Sequence, residues 1–138
     1  MLDHVFLPVR DLDQSLAFYI AALAPLGISQ RLDYDGRDGP PGHPDLKGIG
    51  AGGRMFFWLR QAEHAGTGLH LGFVAGSQRE VDAAYAAAMA AGASDNGAPG
   101  ARLHYDRRYY AANVFDPDGH SIEFVYKSWQ HQGSTDVF

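Results

Sequence analysis

The sequence predicts an α+β fold: two similar halves, each with a helix packed on one side of a mostly antiparallel sheet. Three observations predict it. Period-two alternations mark strands in both halves, each half has one capped amphipathic stretch directly after its first strand, and the halves resemble one another at a spacing of 66 residues.

The first alternation runs over residues 2–9, with Val5, Leu7 and Val9 on one face and His4, Phe6 and Pro8 on the other. Pro8 suits a sheet edge or a strand end, because proline donates nothing to a ladder. Asp11 then stands as an N-cap with Gln14 at the third helical position, predicting a helix to about Ala24 with Leu12, Leu16, Tyr19, Ile20 and Leu23 on one stripe. Pro25 and Gly27 end it. Residues 28–34 read as a short strand, and Tyr34 to Lys47, rich in Gly, Pro and Asp, as a functional or mobile loop. Arg54 to Arg60 is an aromatic buried strand, and Gln61 to Gly68 a polar linker.

The pattern then restarts. Gly68 to Val74 reads as a strand, Ser77 and Glu80 form a second capping box, and an Ala-rich helix runs to about Ala91 before Gly92. A shift of 66 superposes His4 on His70, Val5 on Leu71, Leu7 on Phe73 and Tyr19 on Tyr85. After the helix the shift falls to 65, which sets Trp58 on Glu123. Ser94 to Gly100 reads as a connector, Arg102 to Arg108 and Tyr109 to Phe115 as strands, and Ser121 to Tyr126 as the last strand, after a turn punctuated by Pro117 and Gly119. Ser128 to Phe138 is a polar tail, frayed or draped over the surface.

Composition narrows the chemistry. With no cysteine among 138 residues, any metal site must use His, Asp, Glu or water. A net charge of −5 without a basic cluster argues against nucleic acid. No apolar run approaches the ~18 residues of a membrane span and no signal-peptide pattern opens the chain, so a cytoplasmic protein is expected.

Glu123 lies in an apolar strand, where an unpaired carboxylate is costly. His4 and His70 stand at equivalent places, each on the face turned away from the helix. Two imidazoles and one carboxylate on strands around a pocket make a facial set that holds a divalent metal and leaves positions open for substrate or O₂. Such residues also occur together by chance, and the equivalence of His4 with His70 is what raises the metal reading. His104, Tyr105, Arg107, Arg108, Tyr109 and Tyr110 concentrate donors and rings in one segment: a substrate wall with His104 as acid/base and a Tyr such as Tyr110, or an Arg, orienting an oxyanion, or a solvated connector. Phe6, Phe56 and Trp58 read as cavity lining or core, and His120 as exposed. Asp116 and Asp118 read as turn residues that bond backbone amides.

His4-Val5, Val9-Arg10-Asp11-Leu12, Ser15, Phe18-Tyr19, His70 and Asp116-Pro117-Asp118-Gly119-His120-Ser121-Ile122-Glu123 together resemble the vicinal oxygen chelate superfamily. That group includes glyoxalase I, bleomycin-resistance proteins, fosfomycin-resistance enzymes, methylmalonyl-CoA epimerase and extradiol dioxygenases. The resemblance covers roughly residues 2–127. It implies two βαβββ modules (1–64 and 65–127, with 128–138 as tail, all one structural domain) whose sheets roll into a cup. It also implies a divalent metal (Fe, Mn, Zn, Ni or Co) at His4, His70 and Glu123, and a homodimer. A fourth ligand, Glu or Gln in glyoxalase I, is replaced here by Trp58, or by Phe57 if the register slips by one; neither can ligate, which disfavours glyoxalase I chemistry. His104 matches a dioxygenase histidine, whereas Asn113 stands where those enzymes carry a Tyr. The expectation is a metal-dependent lyase or dioxygenase acting on a small substrate chelated through vicinal oxygens, with Phe6, Phe56, Trp58, Tyr105 and Tyr109 against it. The alternative is a non-catalytic binding protein of the bleomycin-resistance kind, whose members generally lack the metal triad.

Overall fold

The computed structural model describes residues 2–64, 66 and 68–138. Strand β1 (Val5–Val9) leads into helix α1 (Leu12–Leu23), followed by β2 (Gln30–Tyr34), β3 (Leu46–Ala51) and β4 (Arg54–Gln61). The second half repeats the order with β5 (His70–Val74), α2 (Gln78–Ala90), the two-residue strands β6 (Ser94–Asp95) and β7 (Gly100–Ala101), β8 (Tyr109–Phe115) and β9 (Ser121–Lys127). One sheet has the order β1-β4-β3-β2; the other runs β5-β9-β8-β6, with β7 also on β8. Only β1–β4 and β5–β9 are parallel, so the sheets are mostly antiparallel and the fold is α+β. No helix among the described residues is long and apolar enough to cross a membrane.

Local chemistry explains the helix starts. Asp11 Oδ1 accepts from the Gln14 amide at 2.9 Å, and Ser77 Oγ accepts from the Glu80 amide at 3.2 Å. Glu80 closes its box on the Gly76 amide, one residue before the cap. The buried stripe of α1 is Ser15, Phe18, Tyr19, Ala22 and Leu23. It is rotated from the predicted one, with Leu12 and Leu16 only partly buried, because α1 packs against α2 as well as its own sheet. Pro8 does sit on an edge strand, as its missing donor requires.

The helix-facing sides of both sheets share one core. Leu7, Val9, Phe57 and Leu59 of the first sheet join Phe73, Val114, Ile122 and Phe124 of the second around the two helices. The rings of Tyr19, Phe57 and Phe73 run through it edge to face, with centroids 4.8 and 5.4 Å apart. The opposite sheet faces therefore look away from this core, and there Phe6 and Val74 remain 48% and 57% exposed.

The Asp-Pro-Asp-Gly turn clasps the halves together. Asp116 Oδ1 accepts from the amides of Asp118 (2.9 Å) and His120 (2.8 Å), and its Oδ2 accepts from the Tyr19 hydroxyl on α1 at 2.5 Å. Asp118 accepts from the Arg10 amide and the Ser15 hydroxyl at 3.1 and 3.3 Å. The turn role expected of both aspartates is thus only part of what they do. His120, expected on the surface, is buried and donates Nε2–H to the Pro8 carbonyl at 2.8 Å.

Two other expectations change, and the tail takes the second of its two expected forms. Leu46–Ala51, unassigned from sequence beyond the end of the loop, is a central strand. Its Gly48 lies under the Trp58 ring, where a Cβ would sit 2.6 Å from that ring. Arg102 to Arg108 is a turn, with the Tyr105 and Asp106 amides both bonded to the Arg102 carbonyl. The tail is draped and anchored: the Phe138 amide donates to the Arg107 carbonyl at 2.8 Å, and its ring packs on Tyr110 and Tyr126.

Candidate functional site

The register of the two sheets shows what the repeat brings into equivalence. In the first, Val5 pairs with Phe57 and Phe6 with Trp58. In the second, Leu71 pairs with Ile122 and Gly72 with Glu123. Trp58 and Glu123 therefore occupy matching positions on the faces turned away from the core. Gly72 beside Glu123 sets no side chain against the carboxylate, whereas Phe6 beside Trp58 fills the matching place with rings.

Glu123 is the polar centre of the second sheet. Its Oε2 lies 3.0 Å from His70 Nε2, and its Oε1 accepts from the Tyr109 hydroxyl at 2.7 Å. His70 Nδ1 lies 2.7 Å from Ser121 Oγ. A hydroxyl can donate or accept, so Ser121 suits either neutral tautomer of His70. The Glu123 side chain is 13% exposed and that of His70 49%, so the carboxylate is sheltered while the imidazole reaches solvent. Burial, with the neighbouring Glu123 carboxylate, pushes the Tyr109 phenol well above its ordinary pKa, so it stays a donor.

The His70 and Glu123 side chains are hydrogen-bonded, at a separation that two adjacent metal ligands would also have. Two ligands about 2.1 Å from a cation and at right angles to one another are about 3.0 Å apart. The Nε2 to Oε2 distance is also 3.0 Å. The donor set, one imidazole and one carboxylate oxygen, suits Fe, Mn, Zn, Ni or Co. His4 does not complete the set within the chain. Its Nδ1 bonds Asp3 at 2.7 Å, its ring meets Phe6 edge to face, and no three His, Asp or Glu side chains converge among the described residues.

The expected substrate wall separates into parts. Tyr105 is exposed and lies against Tyr109, with ring centroids 5.1 Å apart. The His104 ring lies tilted against Tyr105, centroids 4.2 Å apart, in the exposed turn, without a hydrogen bond to the Glu123 cluster. Tyr110 is on the wrong face for the role given it: strand alternation turns it toward α2, where its hydroxyl donates to Asp82 at 2.7 Å. Arg108 pairs with Asp106 and lies 4.9 Å over the Trp129 ring, while Lys127 Nζ lies 5.2 Å over Tyr109.

On the first sheet, Phe6 and Trp58 line a groove of about 440 Å³ together with His4, Tyr34, Leu46 and Met55. Phe56 is not among its walls. Ile49 pairs with Phe57 but Gly50 with Met55, so Phe56 is the extra residue of a β-bulge. The bulge turns it to the side of Phe57, lining a cleft of about 330 Å³ with Val5, Leu71 and Phe73. Gly50 makes the bulge possible, since a Cβ there would overlap the Arg54 carbonyl. Sequence reasoning missed Ser121, Tyr34 and Met55. Ser121 alone was legible, because it shares the Glu123 face of β9.

Comparison with known proteins agrees with this architecture. The sequence matches the family profile of the Glyoxalase/Bleomycin resistance protein/Dioxygenase superfamily over residues 1–124. No curated protein matches significantly. Among solved structures, a glyoxalase/bleomycin resistance protein from Albidiferax ferrireducens T118 is 29% identical with a TM-score of 0.70, covering 89% of this chain and 95% of its own. A glyoxalase/bleomycin resistance protein/dioxygenase family enzyme from Burkholderia phytofirmans PsJN shares the fold at 20% identity and TM-score 0.66, over 91% of this chain and 98% of its own. A Zea mays glyoxalase I mutant does so at 21% and 0.69, over 88% of this chain and 45% of its own. With 124 matched residues and two strand–helix–strand halves of the same register, the chain belongs to the glyoxalase/bleomycin resistance protein/dioxygenase superfamily.

Proposed function

We propose that this protein is a divalent-metal-dependent enzyme, of lyase or dioxygenase type, acting on a small substrate that chelates the metal through vicinal oxygens. The observation that carries the proposal is the pairing of His70 Nε2 with Glu123 Oε2 at the spacing of two adjacent metal ligands, on a face turned away from the core. A divalent cation bound there supplies Lewis-acid polarisation of substrate oxygens. His70 and Glu123 hold it, and Ser121 fixes the imidazole orientation. The third ligand is His4 of a second copy. Two features support this: no three candidate ligands converge within one chain among the described residues, and both ligand-bearing faces expose apolar side chains that a homodimer would bury. Phe6 and Trp58 of the first sheet then give the substrate an apolar wall. Trp58 at the position matching Glu123 leaves three protein ligands and open positions for substrate.

The test is metal analysis of protein purified without added metal, with the mass in solution measured alongside. Near-stoichiometric metal in a dimer, lost in H70A, E123A and H4A, is the expected result. Metal uptake that all three variants leave unchanged sinks the reading and leaves a binding protein.

A further inference from the structure

We infer that Tyr109 is a positioning residue for Glu123, holding back one carboxylate oxygen so that the other alone faces the metal. The inference rests on the metal reading above, and reassigns Tyr109 from the substrate wall to the support of a ligand.

A glutamate can bind a cation through one oxygen or both, and binding through both uses up a coordination position that substrate needs. In this chain the two oxygens have different neighbours. Oε2 faces His70 Nε2 at 3.0 Å, whereas Oε1 takes the Tyr109 hydroxyl at 2.7 Å. That contact is not an accident of adjacent positions. Tyr109 pairs across the sheet with Lys127, four residues beyond Glu123, so both side chains must lie along the strands to meet. The intervening pair on the same face is Ala111 with Val125, and Ala111 is small enough to leave the passage open. The Tyr109 ring is in turn held from outside by Tyr105 at 5.1 Å and by the Lys127 ammonium at 5.2 Å. A phenol fixed in this way donates to Oε1, leaves Oε2 to His70, and sets the carboxylate rotamer. The outer group therefore decides both the denticity and the aim of the ligand.

Cobalt(II) is the probe, because its visible spectrum reports coordination number. Metal-free wild-type protein and Tyr109→Phe are titrated with Co(II), and urea unfolding of both metal-free proteins checks that the variant is folded. The expected result for Y109F is a visible spectrum altered toward higher coordination, as Oε1 becomes free to bind, with Co(II) affinity about 10- to 100-fold weaker. An altered spectrum at unchanged affinity also supports the inference, the freed oxygen compensating for the lost orientation. Unchanged spectrum overturns it, whether affinity holds (no role) or falls (a structural role only). If wild-type protein itself binds no Co(II), the metal reading fails first and the inference falls with it, an outcome distinct from a wild-type site that Y109F leaves unaltered.

Discussion

Replacing Asp116 with alanine should be among the most damaging single changes outside the hydrophobic core, although the residue lies in a surface turn motif. Asp116 is 4% exposed and serves three donors: the amides of Asp118 and His120 and the Tyr19 hydroxyl. A buried donor left without an acceptor costs about 1–3 kcal/mol. The His120 amide and the Tyr19 hydroxyl are both buried, which puts their combined loss at about 4 kcal/mol, with the partly buried Asp118 amide adding less. That is a large share of the roughly 5–15 kcal/mol that holds an ordinary domain. D116N should cost only about 1 kcal/mol, because its carbonyl still serves the amides and its NH₂ can donate to the phenol oxygen. Y19F should fall near the same value, as it removes one bond and strands no amide. Equilibrium urea unfolding of the three variants, with unchanged m-values, measures the differences. A D116A loss below about 1.5 kcal/mol, or no larger than that of D116N, would refute the argument that these donors have no other partner. A D116N more stable than wild type would refute it differently, by showing that desolvation of the carboxylate outweighs its bonds.

Other perturbations follow from the same geometry. Gly48→Ala places a Cβ 2.6 Å from the Trp58 ring, so the ring must move. A loss of about 1–3 kcal/mol and a changed Trp58 near-UV signal are expected, and an unchanged signal would show that the ring does not lie on Gly48. Phe138→Ala removes the ring packed on Tyr110 and Tyr126 and should cost about 1–2 kcal/mol in urea unfolding, whereas a frayed tail predicts no change. Asp106 is held down to about 2, first by the side-chain bond from Arg108 and then by the Arg108 amide. Because its folded pKa is depressed, the bond's contribution to stability is present above the ordinary value of 3.8 and is lost as pH falls toward 2. Carboxyl chemical shifts followed against pH should show this midpoint near 2 in wild type and a return toward 3.8 in R108A.

Where local rules and tertiary packing agreed, the sequence was readable. Capping at Asp11 and Ser77, the edge placement of Pro8 and the alternation of β9 each depend on neighbours a few residues away. The failures share a cause, which is a distant partner. Leu46–Ala51 carries glycines that disfavour strands, yet Gly48 and Gly50 are required by Trp58 and by the backbone of Arg54. Phe56 follows strict alternation on paper, and one inserted residue in the ladder turns it to the other face. Tyr110 reads from its hydroxyl as a residue that orients an oxyanion, while its parity with Ala112 and Val114 turns it toward α2.

By itself the sequence determined the α+β class, the internal repeat and the candidate ligands His4, His70 and Glu123, because each is written in short-range spacing or in self-similarity. Tertiary structure decided which candidates meet. It set Glu123 between His70 and Tyr109, brought no third ligand to that pair among the described residues, and made the Asp116 turn a clasp between halves. Those outcomes depend on strand register and on which faces share a core. Both are fixed by contacts between residues far apart in the chain, such as the 97-residue separation of Tyr19 from Asp116.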